Sequence, residues 1–319
     1  MPLGTIVEYS GDYFFVAVEG GEEVLVRRRG KVELIERERR HRAQEQRELE
    51  KLVSHKVAVG DQVQLSETDP GQYVIEHVLE RETWLIRSSR GRYARRPQCV
   101  VANADQLAVV VAPNPVIRPS VIDRCFLAAI QGGLDPLLII NKIDLDPKLP
   151  QNVTLRNYRA LGYRVFFTQA TSGEGIAELA NVLDGVSTAF CGHSGVGKST
   201  ILSAITGTEI RTAEVQEKTL KGRQTTTAAR MYMLPGGGNV IDTPGIREFG
   251  LFHLTWLDVH DYFTDIAGYS VDCGFRDCTH SAEPDCRVQA AISAGELSPS
   301  RLDSYAKLRK EAEDFKAWK

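Results

Sequence analysis

Apolar and polar positions alternate along residues 1–97. GTIVEY, YFFVAV and EVLVRRR are short alternating runs broken by Gly and Asp turns, and QVQLSE, QYVIEHV and WLIRSS continue the pattern. A period of two sends successive side chains to opposite faces, which predicts half-buried strands. Between the two groups lies IERERRHRAQEQRELEKL, rich in helix formers and poor in apolar residues. It predicts either a solvated helix laced by i,i+4 ion pairs or a surface for RNA. Five or six short strands around one inserted helix predict a small Greek-key barrel such as an OB-fold.

From about 98 the pattern changes. VANADQLAVVVAP is a run for a buried strand, and SVIDRCFLAAIQGG has helical spacing with Gly at its end. PLLIINKID, LRNYRALGY, YRVFFTQ, GIAELANVLDG, TAFCGHSGVGKSTILSAITG and NVIDTPG continue the alternation of strand and helix. That alternation predicts a mostly parallel, doubly wound sheet. After 252 the chain turns helical and polar, ending in PSRLDSYAKLRKEAEDFKAWK. The expected organisation is therefore multidomain α/β, with a β-barrel over 1–97, a nucleotide-binding domain over 98–252 and a helical domain over 253–319.

Composition narrows the class. Hydrophobic residues make up 42% and charged residues 25% of the 319, as in a globular chain. The net charge of −3 gives no global attraction to nucleic acid, so any such contact must be local. Arg27, Arg28 and Arg29 form one candidate patch. Arg87, Arg90, Arg92, Arg95 and Arg96 in RSSRGRYARRP form another, which reads equally as a solvated linker. MPLGTIVEYS lacks the form of a signal peptide, and no apolar run is long enough to span a bilayer. Six cysteines in this length do not suggest a disulfide scaffold, so a cytoplasmic protein is expected.

GHSGVGKS at 192–199 fits the phosphate-binding pattern G-x-x-x-x-G-K-[ST], behind a strand end and ahead of a helix. Gly192, Ser194, Gly195, Val196 and Gly197 would turn backbone N–H groups onto phosphate oxygens, aided by the N-terminus of the helix that Thr200 helps to open. Lys198 is the candidate for the β and γ phosphates, and Ser199 for Mg²⁺. In DTPG at 242–245, Asp242 is a further Mg²⁺ candidate, and the Gly245 N–H can sense the γ phosphate. GRQTTT at 222–227 lies between these motifs. One of its threonines can ligate Mg²⁺ and meet the γ phosphate; Thr226 is favoured and Thr225 is next.

NKID at 141–144 supplies the base. The Asp144 carboxylate can accept two hydrogen bonds from the guanine edge, a pair that adenine cannot donate. Asn141 can tie the loop to the base, and the Lys142 stem can cover the ring. TQATSGEG at 168–175 follows the next strand. It can offer the Ala170 N–H to the base carbonyl, with Gln169-Ala170 where Ser-Ala is usual. The base-reading loops precede the phosphate loop, an order rotated from that of an ordinary small GTPase. Joining the termini of a compact domain and opening another loop keeps its contacts. The segment after DTPG then runs directly into the C-terminal domain.

CGFRDCTHSAEPDC sets Cys273, Cys278, His280 and Cys286 in the pattern C-x4-C-x-H-x5-C. Three thiolates and an imidazole predict a closed tetrahedral site for a structural Zn²⁺, with no open position for catalysis; free cysteines or one disulfide are the other readings.

The barrel, NKID ahead of GHSGVGKST, GRQTTT, DTPGIREFG and CGFRDCTHSAEPDC together resemble the ribosome small-subunit-dependent GTPase A family (RsgA), among the circularly permuted GTPases. The resemblance covers essentially the whole chain. It implies an OB-fold, a permuted GTPase domain and a helical zinc domain. It also implies GTP hydrolysis stimulated by the small ribosomal subunit, contact with that subunit and its rRNA late in assembly, and a monomer binding GTP or GDP with Mg²⁺. Ile246 follows DTPG where many GTPases carry a water-orienting glutamine, as the resemblance leads one to expect. Gln224 stands where the family typically has histidine. An amide can hold water but cannot accept a proton near neutral pH, so Gln224 is expected to orient water rather than act as a base. The alternative is an RNA-binding switch that works by GTP occupancy with negligible hydrolysis.

Overall fold

A computed structural model describes residues 2–10, 13–18, 22–35, 57–87, 98–210, 229–243 and 254–316. The charged helix expected after Ile35, the arginine-rich stretch after Arg87, GRQTTT and Gly245 with Ile246 lie outside the described residues.

The N-terminal alternation forms β1 (Leu3–Ser10), β2 (Tyr13–Val18), β3 (Glu23–Ile35), β4 (Gln62–Asp69) and β5 (Gln72–Leu79). They pair in the order β1-β2-β3-β5-β4, and β4 returns to β1. Closure of five strands removes the open edges, and β3–β5 is the parallel pair. One side chain in two points inward, so Ile6, Phe14, Val16, Val26, Val63, Leu65 and Ile75 fill the barrel.

WLIRSS does not join this barrel. Its strand β6 (Trp84–Arg87) pairs antiparallel with β7 (Gln98–Ala102) in a separate two-stranded sheet. Alternation identifies a strand but not its partner. The boundary expected at 97 thus falls between two strands that pair with each other. β6 is also held by a hydrogen bond from the Trp84 N–H to the Gly132 carbonyl.

The second sheet is built from β8 (Gln106–Val111), β9 (Asp135–Asn141), β10 (Arg164–Thr168), β11 (Ser187–Gly192), β12 (Arg230–Met233) and β13 (Asn239–Asp242). Their order is β10-β9-β8-β11-β13-β12, all parallel except β12. β8 and β9 are nearly all buried, as near-continuous apolar runs in a parallel sheet require. Helices α1 (Pro119–Gln131) and α2 (Val153–Ala160) cover one face through Ile122, Phe126, Leu155 and Tyr158. α3 (Ile176–Leu183) and α4 (Lys198–Thr206) cover the other through Leu179, Leu183, Ile201 and Leu202. Barrel and sheet are continuous, because β1 pairs with the antiparallel edge strand β12 at Glu8 and Arg230.

The C-terminal part comprises α5 (Trp256–Tyr262), α6 (Thr264–Ser270), α7 (Arg287–Ser293) and α8 (Pro299–Lys316). A capping box between Thr255 and Asp258 starts α5. Val259, Phe263, Tyr305 and Leu308 join the core under α1 and α2. Arg301 of α8 fastens the layer. It is almost fully buried and pairs with Asp123 of α1 and Asp265 of α6. Its guanidinium also lies 4.1 Å from the centroid of the Phe263 ring. Among the described residues, no helix is long and apolar enough to cross a membrane.

Candidate nucleotide site and metal centre

The parallel strands end on one side of the sheet, and the loops singled out by sequence leave from those ends. β8 lies between β9 and β11. The connection from β8 runs one way to β9, and the P-loop strand β11 lies on the other side. This is the point where an open α/β sheet leaves a crevice for a ligand.

β11 delivers the chain to Gly192 and α4 begins at Lys198, with the phosphate-loop residues between them. Gly197 has φ +94, and a Cβ there would meet the Asn141 amide nitrogen at 2.3 Å. Glycine at this position lets the two loops touch. The Asn141 side chain is buried and bonded at both ends, with one amide N–H to spare. Its Nδ2 donates to the Val196 carbonyl at 2.9 Å. Its Oδ1 accepts from the Thr168 hydroxyl and from the Ala170 N–H, both at 3.1 Å. One side chain therefore joins the loops after β9, β10 and β11. Lys142 adopts a left-handed φ of 60° and donates from Nζ to the Gly195 carbonyl at 2.6 Å. Its stem thereby lies along the phosphate loop.

Asp144 sits in a 3₁₀ turn (Ile143–Leu145) and is exposed to solvent. Any selectivity it confers requires a base to cover it. The Ala170 N–H, expected on the base carbonyl, is engaged by Asn141 in this structure. Thr168 carries a contact that sequence did not single out: its buried hydroxyl fixes the Asn141 amide orientation. Thr243 is another such residue, buried and donating to the Phe190 carbonyl at 2.6 Å. It pins the start of the DTPG loop to the P-loop strand.

Lys198 donates from Nζ to the Gly192 carbonyl at 2.8 Å. Burial pushes its pKa down, and nearby Asp242 opposes the shift. Burial pushes the Asp242 carboxyl up, and Lys198 opposes that shift. Asp242 Oδ1 is buried without a hydrogen-bond partner. An unpartnered carboxylate oxygen in this setting fits a divalent cation or its water. Ser199 is partly buried at the start of α4, while Ser194 and Thr200 are exposed.

The second cluster is in the C-terminal part. The ligand atoms of Cys273, Cys278, His280 and Cys286 all lie within 4.8 Å of one another. His280 Nδ1 is 3.7 Å from Cys273 Sγ and 3.5 Å from Cys286 Sγ, and those two sulfurs are 4.0 Å apart. A tetrahedral Zn²⁺ with bonds of about 2.0–2.3 Å sets its ligands roughly 3.5–3.8 Å apart, so the donor set fits that ion. Burial pushes the Cys278 thiol up to about 12, with the Cys286 and Cys273 thiols adding to the rise. A divalent cation offsets such a shift by stabilising the thiolate. Glu283, between the ligands, accepts from the N–H groups of Thr279, Ser281 and Ala282, and the Thr279 hydroxyl, then the Thr279 and other backbone N–H groups, hold its carboxyl down at about 2. Gln289 Nε2 donates to the His280 carbonyl at 2.6 Å. His280 packs 5.8 Å from the Tyr305 ring, and Arg309 donates to the Cys278 carbonyl at 3.3 Å, so the cluster is seated on α8.

Known proteins resemble this chain. The family model described as RsgA GTPase matches residues 78–252. A protein named small ribosomal subunit biogenesis GTPase RsgA, from Chlorobaculum tepidum, is 42% identical over 264 residues, covering 80% of this chain and 85% of that protein. Its namesake from Vibrio cholerae is 38% identical over 287 residues, covering 87% of this chain and 72% of that protein. The crystal structure of YjeQ from Thermotoga maritima aligns with a TM-score of 0.67 at 31% identity, covering 98% of both chains. That of YloQ, described as a circularly permuted GTPase, aligns with a TM-score of 0.65 at 24% identity, over 99% of this chain and 96% of that one. The likeness to YloQ is one of fold.

Proposed function

The chain belongs to the RsgA GTPase family, and we propose that it hydrolyses GTP to GDP and phosphate on the small ribosomal subunit, in the cytoplasm, late in that subunit's assembly. Its turnover rises when the subunit and its rRNA bind. The observation that carries this reading is the Asn141 side chain, which holds the guanine-reading loop against the phosphate loop across the rotated chain order.

Each residue then has a task. Asp144 accepts from the guanine edge, and the base that covers it removes competing water. Asn141 keeps one N–H for the base while the other stays on Val196. Lys142 flanks the ring. The Ala170 N–H meets the base carbonyl by sharing or leaving its bond to Asn141. Gly192, Ser194, Gly195, Val196 and Gly197 present N–H groups to the phosphates, and Thr200 extends the helix that begins there. Lys198 moves its ammonium from the Gly192 carbonyl to the β and γ phosphates. Ser199 and Asp242 hold Mg²⁺, which neutralises phosphate charge when bound. Thr226 completes that shell, the Gly245 N–H senses the γ phosphate, and Gln224 orients the attacking water.

Cys273, Cys278, His280 and Cys286 hold a structural Zn²⁺. The protein works as a monomer of three parts: the barrel over 1–97, the GTPase domain over 98–252 and the zinc domain over 253–319. The paired strands β6 and β7 span the first junction.

The test is phosphate release from GTP with purified small subunits titrated in, with ATP as competitor. Turnover should rise with subunit concentration, and a large excess of ATP should leave it unchanged. Flat turnover across the titration would leave the chain a nucleotide-occupancy switch. Competition by equimolar ATP would remove the role given to Asp144.

A further inference from the structure

The last bonds between β13 and β11 are unequal. The parallel register sets Asp242 beside Phe190. One residue further, the Thr243 hydroxyl donates to the Phe190 carbonyl at 2.6 Å, and the Thr243 N–H reaches the same oxygen at 3.3 Å. An N–H···O bond is ordinarily about 2.9–3.0 Å long, so the backbone bond is stretched. The same N–H is shared with the Asp242 carboxyl, where it counters the upward push of burial. The hydroxyl bond is short and undivided. Thr243 is 1% exposed and Phe190 is fully buried, so water does not compete for either group.

The pair sits between two sets of groups that the nucleotide chemistry needs. Two residues after Phe190 comes Gly192, whose carbonyl holds Lys198. Asp242, the magnesium candidate, immediately precedes Thr243, and Gly245 follows it by two in sequence. A carboxyl that turns toward a cation disturbs its share of the Thr243 N–H. The hydroxyl bond survives that turn, because it is set by χ1 and not by the peptide plane. The chain beyond can then rotate about the Thr243 ψ while its origin stays fixed.

We propose that Thr243 is a positioning residue for GTP hydrolysis. Its hydroxyl is the pivot that fixes the origin of the DTPG segment on the phosphate-loop strand, so that the segment meets the γ phosphate. The inference deepens the GTPase reading above and rests on it. Thr243 acts through Asp242 and Gly245 and touches no reacting atom. Contacts made only with the γ phosphate contribute nothing to GDP binding. A slack pivot therefore shows in the preference for GTP over GDP and in kcat. A displacement of about 1 Å can cost on the order of a hundredfold in rate. A threonine that merely satisfied its own buried hydroxyl would instead alter stability and affect both nucleotides equally.

The experiment uses the full chain with Mg²⁺ and two variants. Thr243→Val keeps the shape without the hydroxyl, and Thr243→Ser keeps the hydroxyl without the methyl. Isothermal titration reads the affinities for GDP and for the β,γ-imido analogue of GTP, and single-turnover hydrolysis at saturating GTP reads kcat apart from KM. Thr243→Val should weaken the analogue by at least about tenfold and GDP by less than about threefold, and should slow hydrolysis by at least about tenfold. Thr243→Ser should bring the analogue affinity and the rate back to within about threefold of native. Thr243→Ala carries the same expectation as Thr243→Val, so a folding defect in one replacement leaves the other to decide. Equal weakening of GDP and the analogue would overturn the proposal. So would a Thr243→Ser variant as poor as Thr243→Val, which would assign the effect to the methyl group. If the native chain hydrolyses GTP and Thr243→Val keeps its rate, this inference alone falls. If the native chain does not hydrolyse GTP, the functional reading falls and takes the inference with it.

Discussion

The Asn141 amide donates to the Val196 carbonyl across 2.9 Å of space and 55 residues of chain. In the rotated order this bond reaches forward, from the base-reading loop to a phosphate loop not yet reached along the chain. The same amide holds Thr168 and Ala170. It is therefore a mechanical hub before it is a nucleotide ligand.

Asn141→Ala should show both roles. Three polar groups lose their partner, two of them buried, and each unsatisfied buried group costs about 1–3 kcal/mol. The thermal midpoint of the nucleotide-free chain should fall by several degrees. GDP affinity, measured by isothermal titration, should fall by at least about tenfold, because the loops lose their mutual position. A variant with native stability and weaker binding would restrict Asn141 to ligand contact.

Asp242 offers a trade between stability and function. Burial holds its carboxyl above the ordinary value, so the charged form is disfavoured in the fold. A group raised in this way adds stability while protonated and loses it as pH rises through its folded pKa. Asp242→Asn stays neutral throughout. It should raise the thermal midpoint of the nucleotide-free, magnesium-free chain at pH 7, and the gain should shrink to nothing in acid. Mg²⁺-dependent GTP binding should fall at the same time by about tenfold or more. A midpoint below native at pH 7 would mean that Lys198 more than offsets the burial of this carboxylate.

Both candidate sites leave a pattern in the sequence, and the contacts that join the layers do not. Asn141, Lys198 and Asp242 stand out because phosphate and base chemistry require particular residues at strand ends, and strands are visible as apolar runs. Cys273, Cys278, His280 and Cys286 stand out because a metal gathers its ligands within a short segment. The Arg301–Asp123 pair spans 178 residues and leaves no local pattern. WLIRSS has the alternation of a barrel strand, but partner choice depends on where β7 arrives. The Glu8–Arg230 seam is invisible for the same reason. Edge pairing is settled by the assembled layers, and neither strand encodes the other.

Arg301 tests how the C-terminal layer is attached. Its guanidinium is almost wholly buried between Asp123 and Asp265, with Tyr158 and Tyr262 also donating to Asp123. Removing one partner of such a group leaves uncompensated buried charge, at about 3–5 kcal/mol. Arg301→Met should lower the thermal midpoint sharply and open the C-terminal layer around α5 and α6 to limited proteolysis. Combining it with Asp123→Asn should recover part of the loss, because the stranded charge on α1 is removed. A double variant no more stable than the single would place the defect in packing against Phe263.

Metal removal separates the zinc module from the nucleotide site. The ligand cluster touches α8 through Tyr305 and Arg309, while the phosphate loop and α4 lie on the far face of the sheet. Chelation, or Cys278→Ser, should release one zinc per chain, read by metal analysis. Structural zinc in small domains carries a large share of local folding free energy, so hydrogen exchange should accelerate through 273–293 and around Tyr305. Exchange in β8, β9 and β11 should stay as before, and GDP affinity should change by less than about threefold, because no ligand of one site contacts the other. The small-subunit stimulation proposed above should fall further than GDP affinity, since the loosened module follows the DTPG segment in sequence. Loss of GDP binding together with zinc would show that the two sites share one cooperative unit, and the Arg301 clamp is the element through which they would be joined.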